Sequence, residues 1–297
     1  MRLPFFLSGE DLVFVMTDKC NSNCIMCPVS QASRKNGSNF SQEEWDYTFS
    51  HLPDSVRHIT ITGGEPFLEN VRLFYLMDFI NEKYPYTNVL ILTNGRALSI
   101  KKIFEEMKKR SSSKYRIAIP VHASNSKLHD EITQVDGSFN QTISALKNLK
   151  NTDVEVEIRI ILHKVNINNI HNLCVMLSQL NVRITQVIFV AMEMHGYAAR
   201  NREALWIDYR YVYNAINSGV LFLIKNGINV CLYNFPLCSI PKGMWHIAKQ
   251  SISPEKIRFD DVCEFCSVKK ACSGLFASTF ALKLFKPQPI TGDDSYD

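Results

Sequence analysis

Short runs of β-branched and aliphatic residues alternate with longer stretches in which apolar positions recur every three or four residues. Leu12–Met16, Val56–Thr62, Val89–Leu92, Arg116–Val121, Val154–Leu162 and Thr185–Ala191 read as six strands. Helices are predicted between them. One opens at the capping box Ser41-Gln-Glu-Glu44 and runs to about Leu52. Asn70–Lys83 places Leu73, Leu76, Met77 and Ile80 on one face. Ser99 caps a helix to about Arg110, a second capping box, Ser138-Phe-Asn-Gln141, opens one to about Leu149, and Asn168–Leu180 follows. A longer helix over Tyr209–Lys225 stops at Asn226-Gly227, because glycine takes the left-handed conformation cheaply. Six such units imply a parallel sheet with helical crossovers, two units short of an eight-fold barrel. Sites in such folds gather at the carboxyl ends of the strands. Those ends carry Cys20–Cys27, Gly63-Gly64-Glu65-Pro66, Thr93-Asn94-Gly95, Ser124 and Met192–Tyr197. Polar Pro28–Phe40 reads as a mobile loop and Ser111–Ser113 as a linker.

Composition adds bounds. With 297 residues, 46% hydrophobic and 21% charged, the chain has room for one large domain, or a domain and an appendage. No apolar run approaches the roughly 18 residues that cross a bilayer. Leu3–Leu7 is too short for a signal peptide, so a cytoplasmic protein without membrane partners is expected. The net charge is +4, and Lys101-Lys102, Lys108–Arg110 and Lys269-Lys270 read as solvated faces rather than a nucleic-acid stripe. Nine cysteines in such a chain argue for metal or redox chemistry over disulfides.

Seven of the nine fall into two groups. Cys20, Cys24 and Cys27 have the spacing C-x3-C-x2-C, which lets a loop turn three thiolates toward one point. Such ligands suit iron–sulfur clusters, zinc or Cu(I). Three cysteines on a four-iron cluster leave one iron open, and open positions are where chemistry happens. On this motif alone a zinc knuckle or buried thiols remain alternatives. The second group is Cys238, Cys263, Cys266 and Cys272, enough thiolates to close a zinc site or a cluster. Cys231, in a strand-like run, is an alternative to Cys238, and Cys174 reads as a small core residue.

The cysteine triad followed by GGEP after the second strand resembles the radical S-adenosylmethionine (SAM) superfamily, over roughly Asp11–Ala199. The resemblance implies a partial (β/α)6 barrel within residues 1–227. It implies that Cys20, Cys24 and Cys27 hold the catalytic [4Fe–4S] cluster, that SAM chelates its open iron, and that a 5′-deoxyadenosyl radical abstracts hydrogen from the substrate. SAM contacts are expected at Gly63 and Gly64, where absent side chains permit close approach. Glu65 would accept from the SAM ammonium, and Thr93, Asn94 and Ser124 would supply polar contacts. Arg159 would bind the SAM carboxylate bidentately, with a salt bridge as the competing reading. Met192–Tyr197 is placed along the adenine. Met26 stands where relatives often carry an aromatic residue, and a thioether also packs on rings. His122, His163 and His195 read as structural or substrate-pocket residues.

The Cys263-x2-Cys266-x5-Cys272 core resembles the SPASM/Twitch auxiliary-cluster domains. That implies a second [4Fe–4S] cluster in an extension over 228–285, with structural zinc as the alternative. Residues 286–297, rich in Pro, Gly and Asp, read as a disordered tail. More finely, Met16–Cys24, Tyr233–Cys238, Ser251-Ile-Ser253 and Cys272–Ser278 resemble the His-Xaa-Ser system radical SAM maturase family, HxsC. This implies modification of a ribosomally made peptide, a one-electron donor such as flavodoxin or ferredoxin, and a second radical SAM protein as partner. The rival readings are a radical SAM enzyme acting on a small molecule, such as a 7-carboxy-7-deazaguanine synthase, and a non-catalytic iron–sulfur or zinc sensor.

Overall fold

A computed structural model describes residues 3–29, 34 and 40–292. Most of the predicted mobile loop Pro28–Phe40, namely 30–33 and 35–39, lies outside the described residues, as do 293–297 of the predicted tail. Among the described residues, nine strands form one sheet in sequence order. β1 (Phe5–Ser8) pairs antiparallel with β2 (Asp11–Val15). β3 (His58–Thr62), β4 (Asn88–Leu92), β5 (Tyr115–Pro120), β6 (Glu155–Leu162), β7 (Ile184–Ala191), β8 (Asn229–Tyr233) and β9 (Ala248–Lys249) follow, each parallel to its predecessor. The six predicted strands are β2–β7. The order does not return from β9 to β1, so the sheet is an open, partial barrel.

The burial pattern explains the elements. In β3, β4 and β8 alternate residues are fully buried: Ile59 and Ile61, Val89 and Ile91, Val230 and Leu232. These pack with the helical residues Leu73, Met77, Ile80, Phe104, Leu146, Leu173, Ile216 and Val220 in one continuous core. The alternate residues, Thr60 and Thr62, Leu90 and Leu92, Cys231 and Tyr233, stay half-buried on the other face. A closed barrel would bury that face too. Leaving it open gives the sheet an inner surface at which a ligand can lie.

Helices form at Gln42–Ser50, Asn70–Lys83, Lys101–Arg110, Ser138–Leu149, Ile170–Gln179 and Tyr209–Lys225. The Ser41 capping box is complete, with Glu44 N–H donating to Ser41 Oγ and Ser41 N–H to Glu44 Oε2. Two predicted caps are corrected. Ile100, not Ser99, precedes Lys101–Arg110, and the Ser99 hydroxyl donates to the Arg96 carbonyl at 2.7 Å. Gly137, at φ +77°, caps Ser138–Leu149, while buried Ser138 donates to Asp130 Oδ1 at 2.7 Å. In each case the serine hydroxyl is taken by another acceptor, the Arg96 carbonyl for Ser99 and Asp130 for Ser138. The short helix Ser126–Thr133 was not anticipated, although Asn125 accepts from Leu128 N–H as its cap. The strand-like run around Cys231 is β8, and with β9, which was not anticipated, it carries the sheet past residue 227.

Candidate active site

The cysteine loop leaves β2 and is pinned along its length. Gly64 N–H donates to the Thr17 carbonyl at 2.6 Å, and Glu65 N–H to the Lys19 carbonyl at 2.8 Å. A Cβ on Gly64 would stand 2.1 Å from the Lys19 oxygen, and one on Gly63 (φ +133°) 2.4 Å from the Thr17 oxygen. The two glycines therefore admit the close approach of the loop's own backbone. Asn23 and Ile25 N–H groups donate to the Thr133 and Ile132 carbonyls at the end of helix Ser126–Thr133. Asn201 Nδ2 donates to the Ile25 carbonyl at 2.8 Å, and Tyr197 N–H to the Cys27 carbonyl at 2.9 Å. Gly196 (φ +55°) lies against Pro28, where a Cβ would meet the Pro28 oxygen at 2.3 Å. Gly64→Ala should therefore lower stability by about 1–3 kcal/mol, read as an earlier urea midpoint, because backbone carbonyls cannot swing aside.

Glu65 is fully buried and holds the ends of β3 and β4 together. Its Oε1 accepts from Thr93 Oγ1 at 2.6 Å and Phe67 N–H at 3.1 Å; its Oε2 accepts from Asn94 N–H at 2.7 Å. Burial pushes its carboxyl pKa up, and those three donors pull it back. Burial and three internal donors make this carboxylate a bracket between the two strand ends. Thr93 is the other half of that bracket. Asn94 carries the link onward, its Nδ2 donating to Asn21 Oδ1 at 2.7 Å and lying 3.9 Å from Cys20 Sγ. Arg96, which sequence reasoning missed, donates to the Asn21 carbonyl and Ser22 Oγ. Ser124 sits at the end of β5, where Asn169 accepts from its N–H at 2.7 Å and donates to its hydroxyl at 3.0 Å.

The three thiols share one electrostatic neighbourhood. Cys24 is pushed up to about 12 by desolvation first, then by Cys20 and Cys27, while Arg34 opposes the shift. Cys20 is raised likewise by desolvation, and it too senses Cys27 and Arg34. Among the described residues no three His, Cys, Asp or Glu side chains stand in a ready-made ligating arrangement. The donor set nevertheless suits a soft cation. Desolvated thiols crowded together resist ionising until a metal supplies positive charge. Arg34 is the second residue the sequence did not single out. It is buried, donates to the Ser22 carbonyl, and lies 4.5 Å from the Tyr197 ring centroid, with Nε and Nη2 unpartnered among the described residues.

Arg159 is elsewhere. Its Nε donates to Glu157 Oε1 at 2.7 Å, and buried Glu157 also faces Arg116 at 3.8 Å and Gln186 at 3.4 Å. Residues two apart on a strand share a face, so the salt-bridge reading holds, on the inner rather than an outer face. Half-buried Arg159 thus has a partner in buried Glu157, without needing a SAM carboxylate.

His122, His129 and His163 lie buried near the ends of β5 and β6, with His122 and His129 ring centroids 5.3 Å apart. Burial lowers His129 and His163 to about 4. In the unfolded chain a histidine titrates near 6.5, so the unfolded state takes up protons first as pH falls. Stability should be full above about pH 6.5 and decline toward pH 4, by on the order of 2 kcal/mol per histidine at pH 5. Urea unfolding at pH 7 and pH 5 checks this, and His163→Gln should shrink the difference.

The second cysteine group also converges. Cys238, Cys263, Cys266 and Cys272 line one small cavity together with Leu237 and Gly274. Cys272 Sγ accepts from Leu237 N–H at 3.3 Å and Gly274 N–H at 3.4 Å. Desolvation raises the Cys272 thiol to about 11. Cys231 is corrected as an alternative ligand, since it points from β8 into the Glu157–Arg116 neighbourhood with Lys249. The expected disordered tail is corrected in part: Pro287 and Gln288 line this same cavity.

Comparison with known proteins matches the Radical SAM superfamily over residues 14–177, more than half of the chain. The chain belongs to the radical SAM superfamily. The family implies a [4Fe–4S] cluster and SAM, and the nine-stranded, mostly parallel sheet is its partial barrel. Among curated relatives, the antilisterial bacteriocin subtilosin biosynthesis protein AlbA of Bacillus subtilis (strain 168) is 28% identical over 161 residues, covering 54% of this chain and 35% of AlbA. A probable GTP 3′,8-cyclase of Pyrobaculum aerophilum is 24% identical over 259 residues, covering 83% of this chain and 77% of that protein. The AdoMet-dependent heme synthase of Methanosarcina barkeri is 22% identical, with 62% of this chain and 52% of the synthase covered. The chain thus spans about a third of AlbA and about half of the heme synthase. Among solved structures, Streptococcus suis SuiB bound to precursor peptide SuiA superposes with a TM-score of 0.61 at 16% identity, over 76% of this chain and 49% of SuiB. No helix among the described residues is long and apolar enough to cross a membrane.

Proposed function

We propose that this radical SAM enzyme modifies a ribosomally made peptide of the His-Xaa-Ser type. In this reading Cys20, Cys24 and Cys27 hold the [4Fe–4S] cluster, which supplies reductive cleavage of SAM when loaded. Gly63, Gly64, Glu65, Thr93 and Asn94 position the cysteine loop and its surroundings, and Ser124 borders the SAM site. Buried Arg34, whose Nε and Nη2 have no hydrogen-bond partner among the described residues, would receive the SAM carboxylate near Cys20 and Cys24. The inner-face residues Arg116, Glu157 and Arg159 face the open side of the sheet and would meet the substrate. A one-electron donor such as flavodoxin or ferredoxin, a second radical SAM protein and a cytoplasmic location belong to the same reading.

The observation that carries the peptide reading is the second cysteine group, gathered on one cavity next to the barrel. An auxiliary metal site in the segment after residue 227, which also carries the sheet's last strands β8 and β9, would account for those four thiols. Support comes from AlbA, named for bacteriocin biosynthesis, and from a shared fold with SuiB, seen with its precursor peptide. The second reading, a small-molecule substrate, is favoured by the similarity to a probable GTP 3′,8-cyclase. The reconstituted protein, with SAM and reductant, should form 5′-deoxyadenosine coupled to a mass change in a His-Xaa-Ser repeat peptide. Coupling to consumption of GTP, with the peptide unchanged, would overturn the peptide substrate and establish the second reading.

A further inference from the structure

Lys286-Pro-Gln-Pro-Ile290 runs along the cavity of the second cysteine group. It is tied at both ends. Arg210 donates to the Lys286 carbonyl, and its guanidinium lies 4.7 Å from the Phe285 ring centroid. Ser267 N–H and Oγ both donate to the Ile290 carbonyl, at 2.9 and 3.0 Å. Phe285 and Pro287 are buried between these anchors.

Between the ties, the backbone meets the sulfurs. Ile290 N–H donates to Cys266 Sγ at 3.5 Å, and the Gln288 backbone lies beside Cys238 on the same cavity, close enough to oppose burial's upward push on that thiol's pKa. The sequence explains why these two. Pro287 and Pro289 have no N–H, and each disfavours helical geometry in the residue before it. In an extended chain, alternate residues present the same side. Pro-Gln-Pro-Ile thus offers N–H groups only at 288 and 290, both toward the cysteines. Cys272 draws on the site itself, accepting from Leu237 and Gly274 N–H.

We propose that residues 286–290 form a strap that closes the second cysteine site over a thiolate-bound metal centre, with the Gln288 and Ile290 N–H groups tuning that centre and slowing its loss. The inference rests on reading those four thiols as a metal site. Hydrogen bonds to ligating sulfurs draw off negative charge and so favour the reduced state of an iron–sulfur cluster; for any thiolate-bound metal, these outer contacts also hold the ligands in place.

Gln288→Pro and Ile290→Pro each delete one donating N–H, whereas Gln288→Ala and Ile290→Ala keep it. All four are made in a chain also carrying Cys20→Ala, Cys24→Ala and Cys27→Ala, so that only the second site's metal is observed. If the centre is iron–sulfur, potentiometric titration should show a lower midpoint in the proline variants alone. If it is zinc, transfer to a chelator should be about 10–100-fold faster in them alone. Should proline disturb folding, seen by circular dichroism, a chain ending at Phe285 takes the same measurements. A parent that holds metal with proline variants indistinguishable from the alanine controls overturns the strap and leaves the metal site standing. A parent that holds neither iron nor zinc overturns both.

Discussion

Cys24→Ala protein, reconstituted anaerobically and given SAM and dithionite, should form no 5′-deoxyadenosine above background. Cys24 is the middle thiol of the triad, and its charge couples to both Cys20 and Cys27. Its removal leaves two sulfurs where an open-iron cluster requires three. The loss should exceed the roughly 10–100-fold that changes behind the ligands cost. Iron content separates the causes. Loss of about four irons per chain, with the circular dichroism spectrum unchanged, marks loss of this one centre rather than of the fold. Retained 5′-deoxyadenosine formation in this variant would remove the triad from its assigned role.

Glu65→Ala is expected to be the most destabilising single change near the site. Removing the carboxylate orphans three donors at once: the Thr93 hydroxyl and the N–H groups of Asn94 and Phe67. Each buried donor left unsatisfied costs about 1–3 kcal/mol, and the three, sharing one partner, sum to less than their separate costs. A total loss of roughly 3–5 kcal/mol is expected, read from the urea midpoint. Glu65→Gln should lose less, since one oxygen still accepts while its amide faces a donor. Thr93→Val should lose less again, because the two backbone donors keep their acceptor. A Glu65→Ala protein as stable as the parent would mean that the bracket carries no load. The variant should also loosen the cysteine loop, because Asn94 ties the end of β4 to Asn21 and Ser22.

The strand and helix rhythm was legible because each unit buries one stripe of apolar residues, and that stripe writes its period into the sequence. β3, with Ile59 and Ile61 inward between polar neighbours, and the helix Asn70–Lys83 are such cases. β9 has two residues, and helix Ser126–Thr133 has eight with three buried, too few to show a period. Yet that helix receives Asn23 and Ile25 of the cysteine loop. Site chemistry was legible where spacing alone determines it, as in Cys20–Cys24–Cys27. It was not legible where a side chain's partner is distant in sequence. Glu65 and Thr93 are 28 residues apart, and the carboxylate faces inward only because β3 and β4 are neighbours.

The sequence by itself determined the family, the unit order and the two cysteine groups, since periodicity and ligand spacing are local properties. Only the tertiary structure decided what each polar residue at the strand ends does. It turned the GGE glycines onto the cysteine loop's backbone, matched Arg159 to Glu157, and set Arg34 beside the thiols. It also laid Pro287–Ile290 along the second cavity. The reason is physical: a buried charge or an orphaned N–H must find a partner, and which one it finds depends on packing between segments far apart in the chain.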